Sequence, residues 1–192
     1  MVNKERVIVV DLDDTVVDVS DRIRQVLTDL GHDVEDVEDI QAYLDELPDR
    51  EMDDFYRLFL DDRYVYLDKL KKGVIKDVIK YQQEVELPAV IITGRPETMK
   101  TTEDLVRKIK DMGLEVIDTI VRHKHTLIPA ERYKVIALKH SNYDPIAIFD
   151  DDEDVLAAVK VAFPAVELFY TKGDRAIKID LEETPIHGKV FK

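Results

Sequence analysis

From residue 87 onward the chain alternates short apolar runs with segments of helical period, and this alternation most limits what it can fold into. The runs are "LPAVIIT", "LEVIDTIV", "PIAIFD" and "AVELFY". Between them, Pro96 to Met112, Pro129 to His140 and Asp154 to Val161 repeat apolar residues at three- and four-residue spacing. Pro96 stands where a first helical turn would be and Gly113 just past the end. Near the start, Lys4 to Asp11 contains Val7, Ile8, Val9 and Val10 without a polar break. Such strands are apolar on both faces and belong in a parallel sheet covered by helices on either side. The expected fold is α/β: a three-layer α/β/α, Rossmann-like parallel sheet with right-handed crossovers.

One segment departs from the alternation. From about Val19 to Asp62 the chain is acidic, helical in period and dotted with Tyr and Phe, with "IRQVL" and "DDFYRLFL" as its clearest pieces and Gly31 and Pro48 as punctuation. "YVYLD" fits neither period, and a further helix is expected from near Lys69 to Glu84, with Val74, Val78 and Tyr81 inward. The expected organisation is a core made of residues 1–17 and 70–192, interrupted by a small helical cap over 18–69. Phe55, Tyr56 and Phe59 read as the cap's own small core, and Tyr64 and Tyr66 as candidates for a substrate entrance. The C-terminal segment 171–192 reads as an edge strand or a docking tail.

In open parallel sheets, ligands bind beyond the carboxyl ends of the strands. Those ends here are Asp11-Leu12-Asp13-Asp14-Thr15, Thr93-Gly94-Arg95, Arg122-His123-Lys124-His125 and Asp150-Asp151-Asp152. Asp11 and Asp13 are two apart, so in extended backbone they leave the same side of the chain. With Asp150 and Asp151 they make an all-oxygen cluster, whose mutual repulsion a cation relieves and whose chemistry suits Mg²⁺. A carboxylate nucleophile beside such an ion can attack phosphorus.

The remaining composition narrows the partners. Against 28 basic residues stand 42 acidic ones, a net charge of −14, so nonspecific duplex binding is not expected. The chain has no Cys, which excludes disulfides and thiolate metal sites. No secretory leader or membrane-length apolar run is seen, so the expected location is cytoplasmic, with no membrane partner. High charge with few Gly and no Cys leans towards a thermophilic source. Taken singly, "RHKH" reads as a solvated loop, Lys134 as a solvated lysine, and Arg22 as a surface ion pair in preference to a residue facing the site from the insertion's first helix.

Together these residues form a pattern. "DLDDT" resembles the DxDxT signature of haloacid dehalogenase (HAD) superfamily phosphatases; "VIITGR" is similar to their second motif, the helix Lys of "ERYKVIALK" to the third and "IAIFDDDEDVLAA" to the fourth. Asp14 departs from the pattern, standing where many relatives carry Gly. The resemblance implies Asp11 as nucleophile, Asp13 as acid and base, Thr93 at the phosphoryl group and Lys134 balancing its charge, with Lys124 as a less favoured substitute. It implies Thr15, Gly94 and Arg95 at the substrate. Mg²⁺ would be held by Asp11, the Asp13 carbonyl and Asp150, with Asp151 or Asp154 in support. "TGRPE", "DTIVRHKH" and "IAIFDDD" are also similar to the phosphatase domain of polynucleotide kinase-phosphatases. The implied activity is Mg²⁺-dependent phosphomonoester hydrolysis through an aspartyl phosphate. The implied substrate is a small phosphorylated metabolite, a nucleotide or a nucleic-acid end. A receiver-like phosphoacceptor module and a non-catalytic phosphate-binding protein are the alternatives.

Overall fold

The computed structural model describes residues 4–123 and 128–180. The chain runs β1 (Glu5–Asp11), β2 (Val17–Asp18), α1 (Ser20–Asp29), α2 (Ile40–Asp45), α3 (Asp49–Phe59), a 3₁₀ turn (Asp62–Leu67) and β3 (Lys69–Leu70). There follow α4 (Lys72–Val85), β4 (Ala89–Pro96), α5 (Thr101–Asp111), β5 (Val116–Arg122) and α6 (Ala130–His140). β6 (Tyr143–Asp150), α7 (Glu153–Ala162), β7 (Glu167–Lys172) and β8 (Arg175–Ile179) complete it. The main sheet has the order β5-β4-β1-β6-β7-β8. Its pairs are parallel except the last, where β8 returns antiparallel along β7. The C-terminal segment thus supplies an edge strand, and residues 181–192 lie outside the described residues.

Alternation along β1 divides the core. Ile8 and Val10 pack with Val74, Ile75 and Val78 of α4 and Leu105 and Ile109 of α5, while Val7 and Val9 pack with Leu138 of α6 and Val155 and Val159 of α7. The result is the three-layer arrangement expected from the strand runs. Asp11 has the parity of Val7 and Val9, and Asp150 that of Ile148, which packs in the same layer. Both carboxylates therefore leave the sheet on the α6/α7 side.

The helical insertion enters through β2 and leaves through β3, which pair antiparallel. This pairing corrects the expected helix start at Lys69: Lys69 and Leu70 are strand, and helix begins at Lys72. Another correction concerns Pro96, which ends β4 instead of opening α5. Helix α5 starts at Thr101, where Asp62 from the insertion accepts hydrogen bonds from the Lys100 N–H (3.2 Å) and the Thr101 hydroxyl (2.6 Å). The insertion does not keep a core to itself either. Phe55 and Phe59 stack at 5.2 Å between ring centroids, and both belong to the apolar cluster that contains Ile8 and Val10. Among the described residues, no helix is long and apolar enough to cross a membrane.

The β7–β8 turn straps the start of α4. Asp174 accepts a hydrogen bond from the Gly73 N–H (2.7 Å), and Arg175 pairs with Asp77 at 2.9 Å. A Cβ on Gly73 would stand 2.1 Å from the Asp174 carbonyl oxygen. Gly73→Ala should therefore destabilise by about 1–3 kcal/mol through overpacking, although Ala is the better helix former. Urea unfolding of the variant checks this, and an unchanged or higher midpoint would remove the strap.

Candidate active site

The strand order reverses at β1: the chain moves outward through β4 and β5, then returns to the other side of β1 as β6. The crevice between adjacent strand ends at such a reversal is where ligands bind. It is lined here by Asp11 and Asp150, with Lys134 from the second turn of α6 between them. The Lys134 ammonium lies 2.9 Å from Asp11 Oδ1 and 2.7 Å from Asp150 Oδ2. All three residues are buried. Asp150 is held further by the Asp152 N–H, which donates to Oδ1 at 3.1 Å.

Asp151 completes a cluster. One oxygen from each of Asp11, Asp150 and Asp151 lies within 4.8 Å of the others. Thr15, fully buried, donates its hydroxyl to Asp151 Oδ1 at 2.8 Å. Thr15, expected at the substrate, is therefore an orienting group for Asp151. Asp154 is exposed on the first turn of α7, where its N–H donates to the Asp152 carboxylate (2.8 Å), and it is not in the cluster. Asp152 caps that helix. The fourth motif's carboxylates thus divide their work: Asp150 and Asp151 turn inward and Asp152 holds the helix start.

Three carboxylates against one ammonium leave a surplus of negative charge in a buried place. Burial pushes Asp150 up to about 7, Lys134 opposing and Asp11 adding to the rise. Asp11 and Asp151 are raised for the same first reason, burial, with neighbouring carboxylates adding to it. Burial works against the Lys134 ammonium, but Asp11 and Asp150 outweigh it and hold its pKa above the usual lysine value. The donor set is all oxygen, deprotonates near neutrality and carries excess negative charge. It fits a hard divalent cation.

Asp13 points into a different network. Arg95 Nε donates to both of its oxygens at 3.0 Å, and Arg22 Nη2 lies 3.1 Å from Oδ1. The same guanidiniums meet Asp68, Arg95 Nη2 at 2.6 Å and Arg22 Nε at 3.1 Å. Arg22, Arg95 and the Asp68 side chain are fully buried. Arg22 also lies 3.9 Å over the Phe59 ring. Burial alone would raise the Asp13 pKa, but Arg95, then Arg22 and Lys134, hold it below the ordinary carboxylate value. Arg95, expected at the substrate, holds Asp13, and Arg22, expected in a surface pair, is instead buried beside the same carboxylate. Asp68 was missed altogether. Its only signal is an acid at the insertion's exit, too common to single out without the fold.

The other expected residues fall around this centre. Thr93 is buried, and its oxygen accepts the Arg95 N–H at 3.1 Å, leaving its own O–H to donate. Gly94 lines the cleft and has open space where a Cβ would stand. Asp14 has φ +54, a left-handed backbone that explains why Gly suits this position and Asp, which tolerates that region, can replace it. The cleft of about 530 Å³ is walled by the insertion's Phe55, Tyr56 and Phe59. Tyr56, about half exposed, is thus its entrance aromatic; Tyr64 is buried and Tyr66 exposed away from the cleft. Lys124 and His125 lie outside the described residues.

No protein-family model matches the chain, and no curated protein sequence matches it. Solved structures do. A Had-superfamily hydrolase from Ehrlichia chaffeensis superposes with a TM-score of 0.52 at 16% identity, over 91% of this chain and 91% of that one. A predicted phosphatase from Clostridium acetobutylicum gives 0.53 at 14%, over 86% and 83%. The fold is haloacid dehalogenase-like. A chain of a Pnkp1/Rnl/Hen1 complex gives 0.53 at 14%, with 89% of this chain covering 47% of that one. The present chain therefore spans about half the length of that protein.

Two outcomes follow from the site's electrostatics. In the metal-free protein, carboxylates with raised pKa lend stability below their unfolded pKa near 4 and lose it as pH rises through about 7. Mg²⁺ should reverse that loss, so the rise in Tm it produces should grow from pH 5.5 to 8, the underlying stabilisation being about 2.7 kcal/mol where Mg²⁺ is a hundredfold above Kd. A pH-independent increment, or one that survives in Asp151→Asn, would rule out this cluster as its origin. Separately, Arg22→Met should cost about 3–5 kcal/mol in chemical unfolding, because it leaves Asp13 and the buried Asp68 to share the single guanidinium of Arg95.

Proposed function

We propose that the chain is a Mg²⁺-dependent phosphomonoesterase that works through a phosphorylated Asp11, with residues 18–69 as its cap. The observation that carries this reading is the buried Lys134 ammonium shared by Asp11 and Asp150 at adjoining strand ends. It fixes one oxygen of Asp11 in the cleft and supplies a positive charge where a phosphoryl group would sit. Asp11, Asp150, Asp151 and the Asp13 carbonyl would hold the ion. When bound, it offsets the charge of an anion approaching a phosphate dianion.

The Asp11 carboxylate attacks phosphorus, the P–O bond to the leaving group breaks, and an aspartyl phosphate forms. Thr93 donates its hydroxyl to the phosphoryl oxygens, and Lys134 balances their charge. Asp13 protonates the departing oxygen and then takes a proton from the water that hydrolyses the intermediate. Its two guanidiniums keep it ionised in the free protein, the state needed to activate that water. A phosphate dianion docking beside it raises its proton affinity, which favours the acid role. A substrate would be a phosphorylated metabolite, a nucleotide or a nucleic-acid end.

Asp11→Asn should abolish Mg²⁺-dependent release of phosphate from phenyl phosphate, and the wild type should form an acid-stable, hydroxylamine-labile phosphoprotein only transiently. Asp13→Ala should slow alkyl phosphates by about 10²–10⁴ and activated aryl phosphates less, since good leaving groups need less protonation. Steady-state kinetics on the two ester classes reads both. Phosphoprotein that accumulates without turnover would favour the receiver-like alternative, and an active Asp11→Asn would end the proposal.

A further inference from the structure

The cleft above Asp11 is longer than a phosphoryl group requires, and its far end has its own chemistry. The strand-end acids line the cleft with Asp53 of the insertion, and Tyr56, Arg122, His123 and Tyr133 line it as well. Of the cations facing the cleft, Lys134 is tied to Asp11 and Asp150, and the His123 ring lies 3.2 Å from Glu97. Among the described residues, no carboxylate lies within ion-pair distance of Arg122, and its Nε is buried without a hydrogen-bond partner. Its guanidinium carbon stands 5.1 Å over the Tyr133 ring. Tyr133 is only 7% exposed, and among the described residues its hydroxyl also has no partner.

An arginine at a strand end is ordinarily a solvated one. This one is stacked on a ring with part of its donor edge withdrawn from water, in a chain whose charge is −14. Such stacking leaves the planar fork oriented to meet a carboxylate or phosphate. Tyr133 adjoins Lys134 on α6, so the same turn of helix sets both ends of the cleft. The registers put Asp11 level with Ile92, Ile92 level with Ile120, and Arg122 two residues further on. Two strand spacings make the lateral offset about 10 Å, room for a ring or sugar between the two ends.

We propose that Arg122 and Tyr133 form a leaving-group subsite for a second anion, a carboxylate or a phosphate. The protein then prefers phosphomonoesters whose leaving group carries one. This rests on the phosphomonoesterase reading and names a class of substrate for it. Tyr56 closes the cleft from the insertion's side and offers its ring to the spacer between the two anions.

The test compares kcat/KM for phenyl phosphate and 4-carboxyphenyl phosphate, and for thymidine 3′-phosphate and a 3′-phosphorylated thymidine dinucleotide, with Mg²⁺. The added anion should raise kcat/KM about tenfold or more in at least one pair, the size of a charge-assisted contact. The pair that responds tells a carboxylate from a phosphodiester. In Arg122→Gln the advantage should shrink below about threefold, and Arg122→Lys should restore part of it. Equal kcat/KM within both pairs in the wild type, or an undiminished advantage in Arg122→Gln, would overturn the subsite. Calorimetry on Asp11→Asn separates this from the parent reading. Should no ester be hydrolysed while 4-carboxyphenyl phosphate still binds more tightly than phenyl phosphate, the phosphatase reading fails and the subsite stands; equal binding removes the subsite.

Discussion

The Lys134 ammonium, buried between Asp11 and Asp150, is the interaction on which the rest of the site depends. A lysine in the interior is costly unless its charge is met, and here two carboxylates from neighbouring strands meet it. The three groups come from β1, α6 and β6, so their meeting also fixes how α6 lies against the sheet. Removing the ammonium would leave two buried carboxylates side by side, and the site would lose its geometry along with its positive charge. Asp151 then tips the balance of charge to negative. A cluster built that way has the oxygen donors and the charge to hold a divalent cation.

A few ångströms away the opposite solution appears. Asp13 and Asp68 face Arg22 and Arg95, two charges of each sign, and that group is neutral by itself. It takes Asp13 and Arg95 from the core and Arg22 and Asp68 from the two ends of the insertion. The orientation of Asp13, the proposed acid and base, is thereby linked to the placement of the insertion. The two networks divide the labour: one is short of positive charge and suited to bind, the other is balanced and suited to hold.

Much of this was legible along the chain because the signals were local. Uninterrupted β-branched runs announced a sheet buried on both faces; the spacing of two that put Asp11 and Asp13 on one side did not hold, for Asp13 turns to Arg95 and Arg22. The acids of "DLDDT" and "FDDDED" fell at strand ends, where the fold places ligands. Where signals were not local, reading failed. Pro96 looked like a helix start because its preference for a first turn is intrinsic, but Asp62, 34 residues earlier, sets the start at Thr101. Arg22 looked exposed because most arginines are; Asp13, Asp68, 46 residues later, and Phe59 together make its burial tolerable.

The sequence by itself determined the layer architecture and the placing of acids at the ends of the first and fourth core strands. Each follows from periodicity and residue type, which act over a few residues. Tertiary structure alone decided that Asp151 and not Asp154 joins the cluster, that Thr15 and Arg95 meet other carboxylates, and that Arg122 stands over the Tyr133 ring. Those outcomes turn on which groups meet across the fold. A side chain's partner is set by distances between elements that no local pattern encodes.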